Sequence, residues 1–316
     1  MSTSPETASV PAGPQGPLGR ARSRWGERTV LIVLVVAALV SVATTVGIVV
    51  SLVPPTVEFF SVVSFREFFT TTQWSPLFEP AAYGVLPLVS ATIVITVIAV
   101  VVAVPLGLGA ALYLSEYAHA RTRKIFKPIL EVLAGVPTVV YGFFALRFVT
   151  PTLQQYLPAG LQPDVFNAIS AGLVMGVMIV PTVASLSEDA MSAVPRGLRD
   201  GAYALGSSTR LVAVRVVVPA ALSGIIASFV LAISRAIGET MIVAIASGNK
   251  PALSFNPLDA MQTMTGFIAQ AGSGDLPTAS FDYKTIFAVG ALLFLITFVM
   301  NVISARLVRR FREVYE

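Results

Sequence analysis

Two charged residues sit inside an otherwise apolar stretch, and their spacing invites chemistry. Arg235 and Glu239 lie four positions apart in SGIIASFVLAISRAIGETM, with Thr240 next in line. On a helix, residues at i and i+4 share a face, so these two side chains can pair. Arg235 stands fourteen positions beyond Ala221, near the start of the apolar run. At about 1.5 Å per residue this is about 21 Å along a helix, past the midplane of a bilayer core about 30 Å thick. An Arg at the helix centre costs about 2.5–3.5 kcal/mol on insertion scales, so it is expected to face a bundle interior or water. A guanidinium suits bidentate recognition of an oxyanion. One reading is therefore an anion pathway, with Glu239 keeping the site from becoming a permanent trap. The other is a structural ion pair that holds helices together.

A polar stretch leads directly into that run. Residues 195–219 read PRGLRDGAYALGSSTRLVAVRVVVP. The notable spacing is Asp200-Gly201-Ala202, then Gly206, then Val216, Val218 and Pro219. Ala202-Tyr203-Ala204-Leu205 favours a short helix, Gly206 permits a break, and residues 211–218 form a second element. A helix–Gly–helix bracket with small side chains can lie in the groove of a partner protein. The alternative is an ordinary polar loop.

The elements that must position these residues are membrane helices. Of 316 residues, 55% are hydrophobic and only 12% are charged, about half the charge of an ordinary soluble domain. Apolar runs at about 29–53, 85–114, 129–149, 168–187, 220–246 and 285–305 predict six spans. The first run is too long for the apolar core of a secretory signal, about 7–15 residues, and is expected to stay as a helix. The expected organisation is a disordered basic tail at 1–28, a transmembrane domain at 29–305 and a basic tail at 306–316. Outer loops are expected at 54–84 and 247–284, and a large cytoplasmic loop at 188–219. Gly172 and Gly176 form a small-xxx-small pattern that reads as helix packing. Sixteen of the 21 basic residues fall on one side of this arrangement. They lie in the N-terminal tail, 115–128, 188–219 and the C-terminal tail, which puts both termini in the cytoplasm by the positive-inside rule.

Several function classes are excluded. There is no G-x-x-x-x-G-K-[ST] run, so the chain has no P-loop with which to hydrolyse ATP. Cysteine is absent and His119 is the single histidine, so no thiolate chemistry, catalytic triad or metal centre is expected. The acidic residues are scattered and form no catalytic constellation. The net charge of +4 reflects the location of membrane-flanking charges rather than affinity for nucleic acid.

The 195–219 spacing resembles the "EAA" coupling loop of binding-protein-dependent ABC importer permeases. The chain departs from that pattern at Asp200, where Glu is typical, and at Gly201, where Ala is typical. The run Arg235-Ala236-Ile237-Gly238-Glu239-Thr240-Met241 resembles the signature of the PstC family of phosphate ABC importer permease subunits. So do Trp74-Ser75-Pro76 and Gly135-Val136-Pro137-Thr138-Val139-Val140-Tyr141-Gly142. The resemblance implies an all-α, type I ABC importer permease fold in the bacterial cytoplasmic membrane, with phosphate as substrate. It implies a PstA-like second permease as heterodimer partner, two copies of a PstB-like P-loop ATPase, and an extracytoplasmic phosphate-binding protein. ATP and Mg would sit on the ATPase, and this chain would carry no cofactor. Arg235, Glu239 and Thr240 would lie on the substrate path. Asp200, Gly201, Ala202, Gly206 and Pro219 would couple to the ATPase. A permease for sulfate or molybdate, an ATP-independent anion transporter, and a scaffold reporting phosphate status are the competing readings.

Overall fold

The computed structural model describes residues 24–310 except 77, 159, 276, 278 and 279. Most of the two expected tails, 1–23 and 311–316, lies outside the described residues. The chain divides into two units, Met1–Ser51 and Leu52–Glu316. The described part of the first is helical, with nearly all of its side chains exposed.

Helix α1 (Arg24–Val62) begins in the first unit and ends in the second. It runs past Pro54 and Pro55, where the sequence reading places the start of a loop. An interior Pro costs about 3 kcal/mol, and the burial beyond it offsets that cost. Phe59 and Val63 are buried among Phe68, Trp74, Val85 and Phe267. Thr56 Oγ1 also donates to the carbonyl of Phe287, at 3.2 Å. The expected outer loop at 54–84 therefore contains the end of α1, the short helix α2 (Phe65–Thr70) and a two-stranded antiparallel hairpin. Its strands are β1 (Trp74–Ser75) and β2 (Ala82–Tyr83).

The core of the second unit is the pair α3 (Leu86–Leu112) and α7 (Ala168–Ser192). The glycine pattern explains their contact. A Cβ on Gly172 would stand 2.7 Å from Ile98 Cβ, and one on Gly176 would stand 2.7 Å from Val102 Cβ. A larger residue at either position would force the helices apart, as the packing reading requires. Helix α3 continues into a π-helical turn at Tyr113–Tyr117.

Between them lie α4 (Ala120–Ala134), α5 (Thr138–Phe144) and α6 (Thr150–Tyr156). The sequence reading treats 115–128 as a loop and 129–149 as one span, packed or broken at Gly135, Pro137 and Gly142. The structure makes the loop part of α4 and bends the chain by 86° between α4 and the segment Thr138–Tyr156. Gly135-Val136-Pro137 stand at the bend. Gly135 is the C-cap of α4, and Pro137 disfavours the α region for Val136, so the helix stops there.

After α7 come α8 (Arg196–Ala204), α9 (Thr209–Val212), a π-helical turn (Ala213–Val217) and α10 (Val218–Ala220). The 188–219 segment is thus mostly helical, and its first residues are the last turn of α7. Then follow α11 (Leu222–Ile237), α12 (Met241–Ala246), α13 (Met264–Gln270) and α14 (Lys284–Arg310). Among the described residues, four helices are each long and apolar enough to cross a membrane. Two bent pairs bring the number to six if each pair is one span.

Candidate functional site

Arg235 sits in the last turn of α11, where a cation is favoured by the partial negative charge of the helix end. Its side chain is half-buried. Nη1 donates to Thr182 Oγ1 at 2.9 Å, across to α7. The expected partner is not there. Glu239 forms no ion pair with Arg235, and among the described residues no carboxylate pairs with Arg235 at all. The reason is that the helix stops between them. Gly238 is the C-cap of α11, so Glu239 is not one turn further along the same face.

Glu239 instead caps the next helix. Its Oε1 accepts from the backbone N–H groups of Met241 and Ile242, at 3.1 and 3.4 Å. These are orphan donors at the start of α12, which a carboxylate satisfies well. The Glu239 carbonyl, freed by the break, accepts from Thr265 Oγ1 of α13 at 2.7 Å. Thr240 is the N-cap residue of α12, and its Oγ1 reaches only the Gly238 carbonyl, at 3.4 Å. The stretch 235–241 is therefore a helix break whose polar atoms are held by neighbours, with a guanidinium left on a neutral hydroxyl.

The third-span motif meets this break. A Cβ on Gly142 would stand 3.0 Å from Ile245 Cδ1 and 3.3 Å from the Met241 carbonyl. Only a glycine lets α5 approach α12 this closely. Tyr141 Oη turns back to the Leu133 carbonyl, at 3.1 Å, and ties α5 to the end of α4.

The polar bracket is a second region, and its local geometry follows its residues. Gly206 has φ +80°, the left-handed region that glycine adopts at no steric cost. Its N–H donates to the Tyr203 carbonyl at 2.9 Å, and the Ser207 N–H donates to the Ala202 carbonyl at 3.1 Å. These two bonds make a Schellman cap on α8. Asp200 and Gly201 are exposed, and Ala202 packs on Val212, Val217 and their neighbours. Leu205 at the bend is 88% exposed, the most exposed large apolar side chain among the described residues. Pro219 lies in α10, and the chain turns by 72° between Thr209–Ala220 and α11. The bracket therefore meets α11 at a bend just after Pro219.

Sequence reasoning missed Thr182, Leu205 and Thr265. A threonine inside an apolar helix carries no distinctive signal. Leu205 could have been noticed as a lone large apolar residue beside the turn glycine. Thr265 is found only through its neighbour across the fold.

The arrangement has known relatives. Residues 103–313 match the family described as binding-protein-dependent transport system inner membrane component. The chain belongs to this family. A Bacillus subtilis member named probable ABC transporter permease protein YqgH is 33% identical, over 84% of this chain and 85% of its own length. A Mycobacterium tuberculosis member named phosphate transport system permease protein PstC 1 is 34% identical, over 77% of this chain and 81% of its own. Among solved structures, a bacterial alginate ABC transporter chain superposes with a TM-score of 0.62. It covers 93% of this chain and 97% of its own, at 14% identity. A MetNI methionine ABC transporter chain superposes at 0.53, covering 73% and 95% at 18% identity. This family member is a multi-pass membrane protein with the type I ABC importer permease fold.

Proposed function

We propose that this chain is one permease half of an ATP-driven, binding-protein-dependent importer of inorganic phosphate. One observation carries the reading at the site. A guanidinium inside the bundle rests on a neutral hydroxyl and keeps its charge uncompensated by any described carboxylate. An uncompensated charge in a low-dielectric setting is costly, and a passing oxyanion would offset that cost. The identity of the anion is supported by the relatives named as phosphate permeases. Because one Arg recognises many oxyanions, selectivity belongs to the binding protein outside.

In this reading both termini are cytoplasmic and the membrane is the bacterial cytoplasmic membrane. A PstA-like subunit completes the pathway as a heterodimer partner. Two PstB-like ATPases bind ATP and Mg, and this chain contributes no catalytic residue and no cofactor. A phosphate-binding protein docks on the outer side, where 54–84 and 247–284 lie. The α8 bracket, with Asp200, Gly201, Ala202, Gly206 and the exposed Leu205, seats in a groove of the ATPase. Closure of the ATPases moves the bracket, and the bundle alternates its access to the Arg235–Thr240 region.

The test is Arg235→Ala in the full complex. Loss of phosphate uptake with intact assembly of permeases and ATPases is expected. Unchanged uptake would sink the pathway role, and loss of assembly would make Arg235 a structural residue. Competition by sulfate and molybdate in the same assay identifies the anion. Their failure to compete is expected, and full competition would replace phosphate with a broader class.

A further inference from the structure

Helix α8 has no buried residue. Ala202 packs it against an apolar cluster that includes Ala111, Met191 and Val212. Its polar attachment runs through one side chain, the mostly buried Arg199. Arg199 Nη1 donates to the Val194 carbonyl at 2.6 Å, and Nη2 donates to the Met191 carbonyl at 2.7 Å and to Glu116 Oε1 at 3.0 Å. Among the described residues, no other side-chain hydrogen bond or ion pair joins α8 to another element. Glu116 is 4% exposed and Arg199 16%. The Ser115 hydroxyl donates to the same Glu116 oxygen, at 2.8 Å.

The three acceptors belong to two different bodies of chain. Met191 and Val194 are the carbonyl end of α7, where a cation is favoured. Glu116 belongs to the π-helical turn that ends α3. One planar guanidinium, with donors in a fixed fork, thus grips α8 and the ends of both core helices. Glycine contacts lock α3 to α7 along their length, at Gly107, Gly172 and Gly176. Ten residues back along α7 from Ser192 stands Thr182, which holds Arg235. That distance is about 15 Å along the helix.

We propose that Arg199 is the joint through which displacement of the bracket reaches the α3–α7 pair, and through Thr182 the Arg235 region. It is a positioning residue: it touches neither substrate nor nucleotide. The proposal rests on the reading of α8 as the ATPase-docking bracket. A cation fixed to buried acceptors on both core helices turns a shift of α8 into a shift of both. Without that grip, a shift of α8 has no polar tie to either core helix.

The experiment uses the complete importer in liposomes, with binding protein inside the assay. The main variant is Glu116→Gln, which lies outside the bracket, keeps the size of the side chain and removes its charge. Phosphate imported per ATP hydrolysed is read beside ATPase co-purification. Loss of a charge-assisted hydrogen bond in a partly buried site is expected to lower that ratio by about tenfold or more, with the ATPase still bound. Glu116→Asp, which keeps the charge, is expected to recover at least ~threefold of the ratio lost in Glu116→Gln. A ratio within about twofold of the unaltered importer for Glu116→Gln, or a Glu116→Asp no better than Glu116→Gln, overturns the joint. Loss of the ATPase in Glu116→Gln also overturns it, because the pair would then merely shape the docking surface. The docking reading is judged separately with Leu205→Asp. If that variant keeps the ATPase and full transport, the bracket itself is not the docking site.

Discussion

Thr182→Val is the most incisive perturbation of the Arg235 site. Valine keeps the shape and methyl of threonine and deletes the hydroxyl that accepts from Arg235 Nη1 at 2.9 Å. Hydrogen bonds to charged groups contribute about 1.5–3 kcal/mol. Arg235 is half-buried rather than sealed, which argues for the lower end, ~1.5 kcal/mol. At 1.4 kcal/mol per decade this is about tenfold in a population or a rate. The guanidinium should then leave its position in most molecules, and the maximal phosphate uptake rate should fall about tenfold. The concentration for half-maximal uptake should stay nearly constant, because capture belongs to the binding protein. Thr182→Ser, which keeps the hydroxyl and loses the methyl, should transport within about twofold of the unaltered importer. Both variants are read by radiolabelled phosphate uptake beside immunoprecipitation of the complex. The reverse order, with serine impaired and valine normal, would mean that Thr182 contributes packing and that Arg235 is not held by it.

Three other outcomes follow from the structure. Gly201 is exposed in α8 and a Cβ there meets open space, so Gly201→Ala should stabilise the bracket by about 1 kcal/mol of helix propensity. Denaturant melting of the complex would read this, and a lower midpoint would refute it. Glu188 is 1% exposed on α7 and is bound by Arg123 and Lys127 of α4, with the Lys127 contact at 3.0 Å. Glu188→Ala removes an acid that joins α4 to α7 and should cost about 1 kcal/mol, because the cations left are partly exposed and Lys127 keeps Asp189, seen as a fall in the thermal midpoint in detergent. Tyr83 donates to Asp282 Oδ1 at 3.0 Å, and burial, followed by that bond, pushes its phenol up to about 12. An unfolded tyrosine releases its proton near 10, so this contact stabilises the fold fully below about pH 10 and is lost as pH rises toward about 12. Absorbance titration should show a late-ionising tyrosine that disappears in Tyr83→Phe.

The parts legible in sequence were those governed by nearest neighbours along the chain. Gly206 has φ +80° because an α8 capped at Leu205 by a Schellman turn needs a left-handed residue next, and a glycine stands there. Gly172 and Gly176 are four apart and so stand on one face, which is enough to predict a close helix contact. The break at 238–240 was not legible. A glycine inside an apolar run costs only about 1 kcal/mol in a helix, so the sequence permits a continuous span as readily as a break. The balance is tipped from afar by Thr265, which satisfies the freed Glu239 carbonyl across 26 residues.

The amino-acid sequence by itself determined that the chain lives in a membrane, and where the polar bracket and the chemistry-bearing residues lie along it. Hydropathy, turn residues and charge asymmetry are sums over short windows, and no folding is needed to read them. Tertiary structure alone decided what those residues touch. Arg235 left Glu239 for Thr182, 53 residues away. Glu239 became a helix cap, and Arg199, one basic residue among many in the sequence, became the grip on two core helices. A polar group released from water must find a partner wherever packing brings one within reach, and packing is a property of the whole fold.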